Sequence, residues 1–185
     1  LVRLRLRWAE ALRPVWVVVE NVGGIPEDAV RDVQASLAGL GYQVSILRLN
    51  ARAWVPQNRD HVFIIGGPAR VPCPPVPPVS VRFGEIMDGR GAKPVEPAVF
   101  RLLARRAARE GGWSIPIVEA DGVLPTVTTR AFSDRWTAIV YDGDGRYRFP
   151  TFREAMRAQG FPDEHTLYAL HERSRSCLLY TSDAA

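Results

Sequence analysis

Residues 15–19 form an unbroken apolar run, mostly β-branched, that stops abruptly at Glu20-Asn21-Val22 and is followed by Gly23-Gly24. A run without polar alternation predicts a strand covered on both faces, as in a parallel sheet. Pro26 with Glu27 and Asp28 marks a helix start, proline at the first position and acids at the positive end of the dipole. Val30, Val33, Leu37 and Leu40 then share one helical face, and Gly41 is a stop signal. Two further apolar runs, 44–49 and 62–65, read as strands. The loop between them is too short to hold a crossover helix, so they are expected to pair antiparallel. Strand, helix, strand, loop, strand defines an α/β chain.

Upstream, Leu4, Trp8 and Leu12 recur at helical spacing among arginines. A helix packed on the sheet is preferred here to a basic amphipathic helix seeking a membrane or nucleic acid, because a strand follows at once. From Pro68 to Pro78 the composition turns to proline, as in a linker. Beyond it the pattern predicts a short arginine-rich helix over 97–110 and strands over 114–119, 124–129 and 136–141. A tight turn is expected at Asp142-Gly143-Asp144-Gly145. Thr151 is a predicted N-cap for a helix over 152–159 that Gly160 ends.

The 185 residues include 46% hydrophobic side chains, ample for a core. The net charge is +4, and Lys93 is the single lysine among 24 basic residues. An arginine-dominated basic balance suits phosphate contact and equally follows from a GC-rich genome. No signal peptide and no membrane-length apolar stretch is visible, so a cytoplasmic protein is expected. Cys73 and Cys177 make neither a disulfide framework nor a zinc spacing. Residues 177–185 translate codon for codon from TGTCTCTTATACACATCTGACGCTGCC, a transposase-type sequencing adaptor. They are read as an artefact, and the chain as a fragment at both ends.

Three ordered motifs narrow the function. Glu20-Asn21-Val22 ends a strand; Val55-Pro56-Gln57-Asn58-Arg59-Asp60-His61 leads into another. Arg148-Phe149-Pro150-Thr151-Phe152-Arg153-Glu154 precedes Gln159-Gly160-Phe161-Pro162-Asp163. Together they resemble the ENV, QxRxR and RE…QGFPD elements of the DNA cytosine-5 methyltransferase family. The resemblance implies the C-terminal part of a Rossmann-like, S-adenosylmethionine-dependent methyltransferase sheet plus a small, mostly-β target recognition domain. The expected organisation is 1–67 in the catalytic domain, 68–147 in the recognition domain, and 148–176 returning toward the catalytic domain.

By the same resemblance, Glu20 and Arg59 are the catalytic candidates. Attack of a thiolate at carbon 6 of cytosine makes carbon 5 nucleophilic and builds charge on ring nitrogen 3. A carboxylic acid placed there relieves that charge. A guanidinium beside the base can hold the carboxylate, the base carbonyl or a phosphate. Asn21 and Gln57 are expected to brace loops around these groups. His61 stands where the family has a second arginine, which weakens the expected contact to the cytosine carbonyl. Pro125-Thr126-Val127 resembles the family's Thr-Leu region, making Thr126, Thr128 and Arg130 the DNA-contact candidates. Arg148, Arg153, Glu154 and Gly160 are expected to fix the return of the chain. Cys73 follows the QxR element and precedes a proline, so the nucleophile is expected outside this chain, along with the S-adenosyl-L-methionine site. No metal site is expected.

The implied partner is double-stranded DNA, with room for a cognate restriction endonuclease, no membrane, and a monomer when complete. A tRNA cytosine-5 methyltransferase shares the first two motifs, and a non-catalytic DNA-binding descendant is the remaining alternative.

Overall fold

A computed structural model describes residues 2–77, 80–107, 115–128, 138–143 and 145–165. The chain divides into two compact units, one of residues 1–50 and 60–76, the other of residues 51–59 and 77–184. Residues 51–59 and the described residues 145–165 fall in the second unit.

In the first unit, helix α1 (Val2–Leu12) leads into strand β1 (Val17–Val22), helix α2 (Glu27–Gly39), strand β2 (Gln43–Asn50) and strand β3 (Asp60–Gly67). The sheet order is β1-β3-β2. β2 and β3 pair antiparallel, as their short connection requires, with Leu49 opposite His61 and Asn50 opposite Asp60. β1 also pairs antiparallel with β3, Val22 opposite His61, where the uniform apolar run had predicted a parallel neighbour. Among the described residues of this unit, the helices cover one face of the sheet. Val19, Val62 and Ile64 are buried with Val30, Val33 and Leu37 of α2, while Val15 and Val18 are exposed. The β-branched run thus meets the helices on alternate residues, as the period of two demands.

Helix α1 corrects the predicted apolar face. Ala9 is buried and Leu6 packs beside it, whereas Trp8 and Leu12 are exposed. The small Ala9 side chain allows close approach to the core, which two bulkier residues at the same spacing would prevent. Arg13 ends α1 in the left-handed region, φ +46°, and its guanidinium donates to the Leu40 carbonyl at 3.0 Å. α2 ends as predicted, with Gly41 at φ +90° donating to the Ala38 carbonyl. Pro26 is the residue before the helix rather than its first.

The second unit holds helix α3 (Pro97–Ala107), short strands β4 (Ile117–Val118), β5 (Ile139–Tyr141) and β6 (Tyr147–Arg148), and helix α4 (Phe152–Arg157). β4 and β5 run parallel, β5 and β6 antiparallel. The turn at 142–145 falls where predicted, with Gly143 and Gly145 both at positive φ. A strand over 124–129 does not form in the described part. Leu124 makes one isolated parallel bridge with Gln57, so threonine's β-propensity was overridden by this pairing with a distant loop. Phe83, Val118, Leu124, Val127, Ala138, Val140, Ala155 and Ala158 form the core. Arg130, the predicted helix end at 108–110, the outer residues of the strands predicted at 114–119, 124–129 and 136–141, and the tail 177–185 lie outside the described residues.

Candidate functional site

β1 ends with polar residues on both faces. Glu20 shares the face of Phe63 and His61, while Asn21 lies on the side of Val62. The Glu20 carboxylate and His61 Nδ1 are hydrogen-bonded, with side chains 27% and 15% exposed respectively. Phe63, two residues along the same strand, stacks on the imidazole with ring centroids 6.2 Å apart and planes 26° apart. Asn21 Oδ1 accepts the backbone N–H of Val22 at 2.8 Å, so its side chain holds its own strand end.

The chain leaves β1 by Gly23, whose N–H donates to the Asp60 carbonyl at 2.8 Å. A Cβ at Gly23 would lie 2.6 Å from Asp60 Cβ; only glycine permits that approach. Asp60 in turn accepts from Asn50 Nδ2 at 2.8 Å. These contacts fix the start of β3, and with it the placement of His61 against Glu20.

In the second unit, the segment 56–59 is joined to 124–127. Leu124 donates to the Pro56 carbonyl at 2.9 Å and Asn58 donates to the Leu124 carbonyl at 2.7 Å. Thr126 Oγ1 donates to the Asn58 carbonyl at 2.9 Å, and Arg59 Nη1 to the Val127 carbonyl at 3.3 Å. Gln57 is fully buried. Its Oε1 accepts from Val127 N–H at 3.2 Å and its Nε2 donates to the Ala158 carbonyl at 3.3 Å. One amide side chain thus satisfies groups from two distant segments, as burial of a polar residue requires. Gln57 and Arg59 are brought together with Thr126, which is distant in sequence. Thr128 is half-buried nearby in sequence.

The third motif is a network of ion pairs. Arg148 and Glu154, both buried, form a two-bonded pair at 2.8 and 2.7 Å. Arg148 Nε also donates to Asp142 at 2.8 Å. Burial alone pulls Arg148's pKa down; hydrogen bonds to Glu154 and Asp142 outweigh it and raise the net value. Glu154 further accepts from the backbone N–H groups of Asp88 and Thr151, and Thr151 accepts from Glu154 N–H, completing a capping box. The Thr-x-x-Glu spacing carried that signal in the sequence, and only its first half was read. Arg157 grips Asp163 through two bonds of 2.7 and 2.6 Å, and Arg153 reaches Asp88 at 3.5 Å. Gly160, at φ +83°, donates to Arg157, while Phe161 N–H reaches back to Met156, the pattern of a Schellman stop. Arg148, Arg153, Glu154 and Gly160 therefore organise the second unit.

Residues 5–75 match the family model described as C-5 cytosine-specific DNA methylase. The type II methyltransferase M.AplI of Arthrospira platensis is 28% identical over 82% of this chain and 48% of its own length. The orphan methyltransferase M.SPBetaI of Bacillus phage SPbeta is 35% identical over 31% of this chain and 14% of its own length. The chain spans about half the length of the first of these relatives. Among solved structures, the S. pombe Dnmt2 methyltransferase follows 85% of this chain at 17% identity and a TM-score of 0.62, with 59% of its own chain covered. The Entamoeba histolytica methyltransferase EhMeth follows 87% at 12% identity and a TM-score of 0.62, with 57% of its own chain covered. The chain shares the fold of these two methyltransferase structures, an α/β sheet accompanied by a distinct small β-sheet region.

Proposed function

We propose that the complete protein carrying this chain methylates carbon 5 of a cytosine in a nucleic acid, with S-adenosyl-L-methionine as methyl donor. The observation that carries this reading is Glu20, a carboxylate at a strand end held by an imidazole among the apolar side chains of Val18, Val22, Phe63 and Leu49. Charge that builds on ring nitrogen 3 during attack at carbon 6 needs a proton donor fixed in place. Glu20 is that donor, and Arg59 is the cation beside the base or its phosphate. Thr126 and Thr128 are proposed to contact the nucleic acid, with Arg130 beside them in sequence; Gln57 holds Thr126 and Arg59 in one arrangement.

S-adenosyl-L-methionine supplies the electrophilic methyl group. Cys73 is exposed in a proline-rich segment. Neither the attacking thiolate nor the methyl transfer itself is therefore assigned to residues of this chain.

A distinct segment after the first unit had favoured duplex DNA as substrate. The Dnmt2 and EhMeth structures follow more of the chain than the first unit contains, so this segment does not by itself favour duplex DNA. The tRNA alternative accordingly moves ahead of the DNA reading, which retains the description of the matched family model. A restriction endonuclease partner belongs to the DNA reading alone. No helix among the described residues is long and apolar enough to cross a membrane. Incubation of the complete protein with labelled S-adenosyl-L-methionine and either tRNA or duplex DNA, followed by nucleoside analysis, separates the two. 5-Methylcytidine in tRNA alone supports the first, 5-methyldeoxycytidine in DNA alone the second, and label at another atom refutes both.

A further inference from the structure

We infer that His61 is a positioning residue for Glu20, held as the Nδ1–H tautomer so that it donates to Glu20 Oε1 and leaves Oε2 free to carry the proton for the base. This rests on the proposed methyltransfer reading and names the role of a residue that departs from the family pattern.

Three observations converge. First, the register sets Val22 opposite His61 and Glu20 opposite Phe63, so the two polar side chains meet diagonally across β1 and β3. Their hydrogen bond runs from the ring nitrogen to one carboxylate oxygen. Second, both are half-buried, and the nearest residues on their sheet face, Val18, Val22, Phe63 and Leu49, are apolar. Third, the imidazole is stacked by Phe63, which fixes the ring plane and therefore the direction of the N–H. The charged groups of neighbouring elements are engaged elsewhere: Asp60 with Asn50, and Arg48 of β2 with Glu27 of α2.

The chemistry follows from the inventory of donors. A carboxylic acid that must protonate a ring nitrogen has two oxygens, and a proton on the wrong one is useless. A donor bonded to Oε1 occupies that oxygen as an acceptor and confines the acidic proton to Oε2. When the proton passes from Oε2 to ring nitrogen 3, Glu20 becomes a carboxylate whose new charge is met by the same Nδ1–H. When the base returns the proton, the starting state is restored, so nothing is consumed. Which imidazole nitrogen carries hydrogen is set by the hydrogen bonds the ring makes; a carboxylate oxygen accepting at Nδ1 places the hydrogen there.

The test uses the complete protein, labelled with ¹⁵N-histidine, and two further readouts. The His61 signal, assigned by its loss in His61→Gln, should show the Nδ1–H tautomer in the parent and shift toward the ordinary Nε2–H tautomer in Glu20→Leu. In methyl transfer, His61→Phe should lower kcat by roughly 10- to 100-fold with KM within a few-fold and an unchanged melting temperature. His61→Asn, whose amide N–H can reach the same oxygen, should recover most of that loss. An Nε2–H tautomer in the parent overturns the inference, whether or not the protein transfers methyl groups. So does a His61→Phe variant with unaltered kcat, or one whose loss lies wholly in melting temperature. A parent that shows the Nδ1–H tautomer and its shift in Glu20→Leu but methylates no cytosine instead overturns the functional reading and leaves the pairing standing.

Discussion

Replacing Arg148 by methionine should unfold the second unit's ion network. Glu154 is fully buried and Arg148 nearly so, and the guanidinium supplies two of the four hydrogen bonds that Glu154 receives from Arg148, Asp88 and Thr151. Methionine leaves a buried carboxylate with two backbone N–H groups and strips Asp142 of its partner. Removing one member of a buried pair costs about 3–5 kcal/mol. The two remaining amides place this site near the lower end, ~3 kcal/mol, or roughly 6–12 °C in melting temperature for a protein of this size. Pairing the change with Glu154→Leu should recover part of the loss, because an apolar pair carries no uncompensated charge. The coupling should be at least about 1 kcal/mol. Urea unfolding of the complete protein, followed by a probe within residues 77–165, measures all three variants. A single-variant cost below about 1 kcal/mol, or strict additivity, would refute the claim that this pair is what holds α4 to the rest of its unit.

Gly67→Ala should destabilise the first unit by roughly 1–3 kcal/mol, since a Cβ there would lie 2.0 Å from the Trp16 ring; Trp16→Ala in the same background should relieve it, as read by thermal melting. Asp163 and Asp88 both titrate below the ordinary value of 3.8, Asp163 chiefly through its hydrogen bonds to Arg157 and Asp88 chiefly through Arg90. Their folded state binds fewer protons than the unfolded one, so their contribution is complete above the ordinary carboxylate range and disappears as pH falls through the lowered values. Asp163→Asn should flatten that acid-side loss in a melting series from pH 6 to about pH 2.

Much of the first unit could be read from periodicity because its elements are long and locally consistent. α2 carries acids in its first turn, an apolar stripe and a left-handed Gly41, all agreeing with one another. β1's partner could not be read, because an apolar run reports how much of a strand is buried and not the direction of its neighbour. The Glu20–His61 pair was hidden for the same reason: it exists only once β3 lies antiparallel beside β1. The second unit was less legible because its strands are two or three residues long, and no two-residue pattern has a period. What orders it is non-local, Gln57 bonded to Val127 and Ala158. A glutamine in a loop gives no sign in sequence that it will be fully buried.

The most direct test of Glu20 as the proton donor is single-turnover methyl transfer by the complete protein and its Glu20→Gln variant, beside equilibrium binding of the same nucleic acid. Glutamine keeps the shape and loses the acidic proton. The account predicts a rate lower by roughly two to four orders of magnitude with affinity within a few-fold of the parent. A variant that transfers methyl groups within a few-fold of the parent rate would contradict it.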